Sequence, residues 1–206
     1  MSEYLSCLKI LAGNKSFRLH PEVYVPSDDS LLLSHHSRAL SCGNVLDMGT
    51  GCGIQAVLAA ENAEKVLAVD ISEKALSLAE ENARLNRLGH KISFRKSNLF
   101  SSIKPEEKFD MIIFNPPYLP TTECEQTSGP LDLAWNGGSD GRMVIDRFLT
   151  KFQAYLNKGG SLLMLHCDLA DTAKTASKLK SKGFSVEIID ELNVPGERLA
   201  VLLASK

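Results

Sequence analysis

Val45-Leu46-Asp47-Met48-Gly49-Thr50-Gly51-Cys52-Gly53 runs from an apolar stretch into three alternate glycines. The apolar part reads as a buried strand over Asn44–Met48, and the glycines as the turn into a helix over Gly53–Asn62. Glycines at 49, 51 and 53 allow a tight turn and let a ligand approach the backbone without meeting a Cβ. Outward from this unit the rhythm repeats. Val66–Asp70, Ile92–Lys96, Phe109–Phe114 and Ser161–His166 read as strands, several apolar on both faces. Ser72–Asn86, Arg142–Leu156 and Asp168–Lys182 read as helices. Strands buried on both faces belong to parallel sheets covered by helices, so the alternation predicts an α/β, doubly wound sheet with right-handed crossovers. Ser72 is the expected N-cap of its helix, with Ala75, Leu76, Ala79 and Ala83 as one apolar stripe.

The C-terminal end departs from this rhythm. Phe184–Leu192 and Arg198–Ala204 are joined only by Asn193-Val194-Pro195-Gly196-Glu197, too short for a parallel crossover, so they pair antiparallel. A mostly parallel seven-stranded sheet ending in such a hairpin is the Rossmann-like fold of class I, S-adenosylmethionine (SAM)-dependent methyltransferases. Residues 1–43 read as a strand-like lead and a helix starting near Asp28, and 44–206 as the main body of one domain. Asn115–Gly141 is far longer than most connections, which marks a functional loop.

Composition narrows the function classes. The 206 residues suit one core, and 44% hydrophobic with 23% charged residues is ordinary for a globular domain. A net charge of -2 supplies no strong field for nucleic acid. No apolar run approaches a membrane span, and the N-terminus lacks the basic start and apolar core of a signal peptide, so a cytoplasmic protein is expected. Cys7, Cys42, Cys52, Cys124 and Cys167 are scattered without a CxxC pair, which favours reduced thiols over disulfides or zinc. His35 and His36 are adjacent and cannot share a metal as an i, i+4 pair could. No metal site is expected.

Two loops carry the chemistry. Asp70 ends the second strand, where a carboxylate can accept hydrogen bonds from both ribose hydroxyls of a nucleoside. Gly51-x-Gly53-x-x-Ala56 also fits a dinucleotide fingerprint. Asp47 discriminates, because a carboxylate beside the loop repels a pyrophosphate and attracts the ammonium of SAM. Asn115-Pro116-Pro117-Tyr118 follows the strand Phe109–Phe114, at the carboxyl edge where doubly wound sheets bind ligands. An amide or aromatic amine is a poor nucleophile because its lone pair is delocalised. The Asn115 side-chain oxygen and the Pro116 carbonyl can each accept one hydrogen of an NH2 group, aiming its lone pair at a methyl donor. Pro117 stiffens the loop and Tyr118 offers a flat wall. Transfer then needs mainly positioning and electrostatics.

The pairing of this glycine loop with Asn-Pro-Pro-Tyr resembles the HemK-type protein N5-glutamine methyltransferases, which modify the glutamine of the GGQ loop in class I translation release factors. Val23-Tyr24-Val25-Pro26-Ser27-Asp28-Asp29-Ser30 is similar to the lead of their compact eukaryotic and archaeal branch. Ala134-Trp135-Asn136-Gly137-Gly138-Ser139-Asp140-Gly141-Arg142 and Asp146-Arg147-Phe148 match that branch's segments after the catalytic motif. The resemblance implies Asp47, Gly49, Thr50, Gly51 and Gly53 around the methionine end of SAM, Asp70 and Ile71 at the ribose, and Asn98 and Leu99 at the adenine. Asp28 and Ser30 would close the pocket, with helix capping as the plainer role for Asp28. Asn115, Pro116, Pro117 and Tyr118 would hold the glutamine amide, with Asn115 also bordering the bound cofactor. Trp135 fits equally well as a loop anchor. Asn98 departs from the aspartate common at its position and keeps one acceptor for the adenine amine. Bacterial relatives carry a helical N-terminal domain that 1–43 cannot build, whereas the compact branch works with a small zinc-binding activator protein.

Such an activator would add a strand to the sheet edge near Lys91–Lys96, where Ile92 and Phe94 share one face. The alternative is that Lys91, Arg95 and Lys96 merely protect that edge. A proline at Ser93 would separate the two if its N–H points outward. Three rival functions remain open: an amino-methyltransferase acting on a nucleic-acid base, a cofactor-binding scaffold without catalysis, and a lysine methyltransferase.

Overall fold

The computed structural model describes residues 9–121, 129 and 131–206. Cys7, Cys124 and parts of the expected lead and of the Asn115–Gly141 loop lie outside these residues. The main sheet contains β3 (Asn44–Met48), β4 (Lys65–Asp70), β5 (Ile92–Lys96), β6 (Phe109–Phe114), β7 (Leu156–Cys167), β8 (Ser185–Val194) and β9 (Glu197–Ser205). Their order is β5-β4-β3-β6-β7-β9-β8, parallel through β7, with β9 antiparallel to both β7 and β8. The apolar alternation therefore yields the expected doubly wound sheet with its C-terminal hairpin. Only Pro195 and Gly196 separate β8 from β9, a tighter turn than the sequence suggested. Between β3 and β6 the winding reverses, which opens a crevice at the carboxyl edge of the sheet.

Helices α1 (Asp28–Leu40), α2 (Ile54–Ala59) and α3 (Glu73–Leu85) precede β3, β4 and β5 in turn. Ser72 caps α3 by accepting the Ala75 N–H. Past a four-residue helix α4 (Asp132–Trp135), α5 (Met143–Lys151) ends in a 3-10 turn at Phe152–Tyr155, so the helix expected over Arg142–Leu156 changes pitch near its end. The helix expected from Asp168 is likewise broken: Asp171 adopts φ +59° and caps α6 (Thr172–Ser181) through the Lys174 N–H.

The lead holds a hairpin, β1 (Lys9–Ala12) and β2 (Lys15–Arg18), outside the main sheet. Asn82 of α3 and the C-cap residue Asn86 stand in for a third strand. Asn82 Oδ1 accepts the Arg18 N–H at 2.8 Å and its Nδ2 donates to the Arg18 carbonyl, while Asn86 makes the same pair with Ser16. Fully buried Asn82 also donates to the Cys52 carbonyl at 2.9 Å, tying the hairpin to the glycine loop.

At the β5 edge, the Val66 N–H donates to the Lys91 carbonyl and the Ser97 N–H to the Asp70 carbonyl. Odd-numbered residues of β5 thus bond inward to β4, and Ile92, Phe94 and Lys96 present their backbone groups to the open edge. The Ser93 N–H points inward, so a proline there would break the sheet itself. Nor is Lys91 an edge guard: its ammonium caps the Ala60 and Ala63 carbonyls at 3.0 and 2.9 Å. Arg95 is held bidentate by Glu107, whose carboxyl that guanidinium draws down to about 2.

Candidate active site

The loops after β3, β4, β5 and β6 surround one cavity of about 320 Å³, at the lower end of the range for small-molecule sites. Gly49, Thr50 and Gly51 form one wall, Asp70 and Ile71 the next, Asn98 and Leu99 a third, and Asn115, Pro116, Pro117 and Tyr118 the fourth. These residues, scattered over 70 positions of chain, meet because every parallel strand delivers its carboxyl end to the same side.

Gly51 has φ +55°, and a Cβ on it would meet nothing within 4 Å, so its bare backbone borders open space in the cavity. Its N–H donates to Asp70 Oδ2 at 2.9 Å, while Asp70 Oδ1 accepts the Ser72 N–H at 2.9 Å. Each oxygen keeps acceptor capacity facing outward. Burial pushes the Asp70 carboxyl up, opposed by these backbone donors.

Gly53 and Asp47 do not line the cavity. Gly53, at φ +86°, lies against α3, where an added Cβ would sit 2.9 Å from the Ala79 Cβ; its smallness serves packing. Asp47 is buried behind the loop, with one oxygen accepting both the Thr50 hydroxyl at 2.6 Å and the Ala56 N–H at 3.0 Å. It braces the turn from beneath and does not line the cavity, which corrects the reading of its charge as a direct attraction for an ammonium. Burial raises its carboxyl from 3.8 to about 7. Because the folded-state value lies above the unfolded one, this carboxyl costs stability increasingly as pH rises from about 4 to about 7. Asp47→Asn retains one oxygen for both donors and carries no charge. Its melting temperature relative to the wild type should therefore climb across that window and level off above it. Parallel curves would show that Asp47 does not titrate there.

The pocket-facing carboxylate of the lead is Asp29, not Asp28. Asp28 is exposed on the first turn of α1 and outside the cavity wall, and Ser27 holds the cap position. Asp29 and Ser30 are buried and line the cavity. Asp29 Oδ2 accepts the Tyr24 hydroxyl at 3.2 Å and Asn115 Nδ2 at 2.9 Å, while Oδ1 accepts the Ser30 N–H and hydroxyl. An i, i+4 phase through Asp29, Leu33 and Ser37 was the available sign that Asp29 turns inward.

On the Asn-Pro-Pro-Tyr side, the Phe114 ring lies 4.4 Å from Phe148 of α5, which stacks in turn on Phe100 and Phe152. This aromatic column fixes the end of β6 and hence Asn115. Beyond Tyr118 the chain pairs with the segment after α4: Leu119 bridges Asn136, and the Thr121 N–H donates to the Gly138 carbonyl. The described ends of the long connection are thus zipped together. A Cβ on Gly141 would collide with the Tyr118 carbonyl at 2.3 Å. Next to it, buried Arg142 donates to the Ala170 and Asp171 carbonyls, to Asp146 and to Thr175, anchoring this layer to the start of α6. Trp135 lines the cavity, as do Tyr24, Met143 and Arg147, none of the last three assigned from sequence. Arg147 Nη2 donates to Asn98 Oδ1 at 3.1 Å, so the acceptor expected for the adenine amine is engaged by a guanidinium in this structure.

Residues 25–128 match the family "Methyltransferase small domain". A Methanocaldococcus jannaschii relative, provisionally named a protein N5-glutamine methyltransferase, is 44% identical over 91% of this chain and 93% of its own length. A Koribacter versatilis protein named release factor glutamine methyltransferase is 37% identical over 73% of this chain, which spans 57% of that longer relative. Among solved structures, the Mtq2-Trm112 complex of E. cuniculi, described as responsible for methylation of the eRF1 translation termination factor, matches 90% of this chain and 99% of its own. The TM-score is 0.67 at 24% identity, a likeness of fold. The matched segment carries the glycine loop and the whole Asn-Pro-Pro-Tyr motif, and the archaeal likeness runs nearly end to end: the chain belongs to the methyltransferase small domain family, alongside the N5-glutamine methyltransferases.

Proposed function

We propose that this protein transfers a methyl group from SAM to the side-chain nitrogen of a glutamine in a translation release factor. One observation carries the reading: Asn115 Oδ1 is a buried acceptor with no donor among the described residues, and Asn115 lines the cavity. Its amide cannot turn round, because Nδ2 faces the acceptor-only carboxylate of Asp29. No backbone N–H of the described residues donates to the Pro116 carbonyl, one residue on. Two free acceptors side by side suit the two hydrogens of a primary amide. A substrate ammonium would instead find its fixed partners limited to neutral oxygens.

The opposite walls fit the donor. Gly51 admits close approach, and Asp70 retains acceptor capacity for ribose hydroxyls. When bound, SAM supplies an electrophilic methyl on a sulfonium. Asn115 and Pro116 hold the amide nitrogen and stabilise the positive charge that develops on it, while Tyr118 and Pro117 exclude water from its flank. Mass spectrometry of a purified release factor treated with the enzyme and SAM should show one added methyl on the glutamine of the GGQ peptide. Labelling of bulk RNA with an unmodified release factor would instead favour the base-modifying alternative.

The partner reading adds a small activator protein, zinc-binding by family resemblance, docked on β5, and a cytoplasmic site of action. No described helix is long and apolar enough to cross a membrane. Support for docking comes from the open β5 edge and from the two-chain assembly of the E. cuniculi structure. Lys96 tests it cleanly. Its N–H faces the open edge and, among the described residues, its side chain makes only an exposed ion pair with Glu73. Lys96→Pro should abolish co-purification with the activator at unchanged fold, whereas Ser93→Pro should lower stability with or without it. Retained complex in Lys96→Pro would remove strand addition at this edge.

A further inference from the structure

Resting on the amide-clamp reading above, we infer that Asp29 is a positioning residue for the reaction, orienting and polarising the Asn115 amide through the Nδ2–Oδ2 hydrogen bond. Four donors converge on its carboxylate: the Ser30 N–H and hydroxyl on one oxygen, the Tyr24 hydroxyl and Asn115 Nδ2 on the other. All four approach as donors, so both oxygens of Asp29 serve as acceptors. Its negative charge beside Nδ2 shifts electron density of the Asn115 amide toward Oδ1, the unpartnered atom. The oxygen is thereby a stronger acceptor for a substrate nitrogen that gains positive charge during transfer. Tyr24, whose hydroxyl burial and Asp29 together hold far above its ordinary value, stays a donor and completes the bracket. The lead therefore does more than cover the cavity: α1 brings a charge from 86 residues away to the back of the Asn-Pro-Pro-Tyr loop.

A reciprocal exchange separates this role from mere support. In Asp29→Asn, the new amide oxygen stays with Ser30, where a backbone N–H cannot turn away. Its NH2 then confronts Asn115, whose amide rotates and presents NH2 to the substrate. The turnover rate should fall roughly a hundredfold, with SAM affinity by calorimetry and melting temperature little changed. Asn115→Asp alone sets two carboxylates against each other and should fall at least as far. The double variant Asp29→Asn/Asn115→Asp restores one donor at 29, one acceptor toward the pocket and the original net charge. It should recover about tenfold over either single variant. Turnover of Asp29→Asn within threefold of the wild type, or no recovery in the double variant, would overturn the inference. Should the wild type fail to methylate the GGQ glutamine, the release-factor reading falls and the pair is judged by spectroscopy alone. The Asn115 side-chain amide resonance, identified by its loss in Asn115→Asp, should shift and exchange faster with solvent in Asp29→Asn. An unmoved resonance would overturn the inference in that case too.

Discussion

Asn115→Ala should lower methyl transfer to the release-factor glutamine by about a hundredfold to a thousandfold while SAM affinity stays within a few-fold of the wild type. The asymmetry follows from what the residue touches. Oδ1 is kept free and aimed by Asp29, and nothing of Asn115 supports the glycine loop or Asp70. Removing it leaves Pro116 as the lone acceptor, so the amide nitrogen loses its alignment with the methyl at the moment charge develops. The fold pays little. Asp29 Oδ2 retains the Tyr24 hydroxyl, so the lost hydrogen bond should cost about 1 kcal/mol of stability. Single-turnover kinetics with calorimetry on the same preparation distinguish the two effects. Equal losses in rate and SAM affinity would mean that Asn115 serves the donor and not the acceptor.

The fold was legible because burial on both faces of a strand leaves a mark that no other element shares at that length. β3, β4 and β6 carry runs such as Val66-Leu67-Ala68-Val69, and the short link before Glu197 could only close a hairpin. Less legible was which side of a motif each residue would face. Asp47 stands one residue before the end of β3 and Asp70 at the end of β4, yet one turns under the loop toward the Ala56 N–H and the other toward the cavity. A strand-end residue can serve either side, and the choice depends on donors supplied by the next helix. The three glycines look alike in sequence, but Gly51 borders the cavity while Gly53 yields to Ala79, a helix whose approach only the tertiary fold sets.

Adjacent acids gave the opposite difficulty. Asp28 and Asp29 differ by one position, about 100° around a helix, and that angle moves the carboxylate from solvent to the back of Asn115. Most opaque was Asn82, a polar residue on a helix otherwise read by its alanines. Its role depends on a hairpin 64 residues away that offers a strand edge with no strand to receive it. No local pattern encodes such a partner. By contrast, Phe148 and Arg142 sit in a segment singled out by resemblance, yet their work is mechanical. One wedges Phe114 and the other clamps the start of α6, and together they hold the wall that carries Asn115.

At the donor side, Asp70→Ala should weaken SAM binding about a hundredfold or more. Two hydrogen bonds from ribose hydroxyls to a charged acceptor, each worth at least ~1.5 kcal/mol, give ~3 kcal/mol, about two decades. The same oxygens also hold the Gly51 and Ser72 N–H groups, so alanine loosens the glycine loop along with the ligand contact. Asp70→Asn separates these contributions. Its single oxygen can serve Gly51 or Ser72 but not both, and its NH2 can still meet one ribose oxygen. Its affinity should lie between the wild type and alanine, with a smaller loss of melting temperature. If calorimetry finds SAM affinity unchanged in Asp70→Ala, the nucleoside does not lie along this wall. The cavity beside Gly51 would then need a different ligand, because among the described residues no other buried carboxylate borders it on that side: Asp47 is turned away beneath the loop, and Asp29 is committed to Ser30, Tyr24 and Asn115.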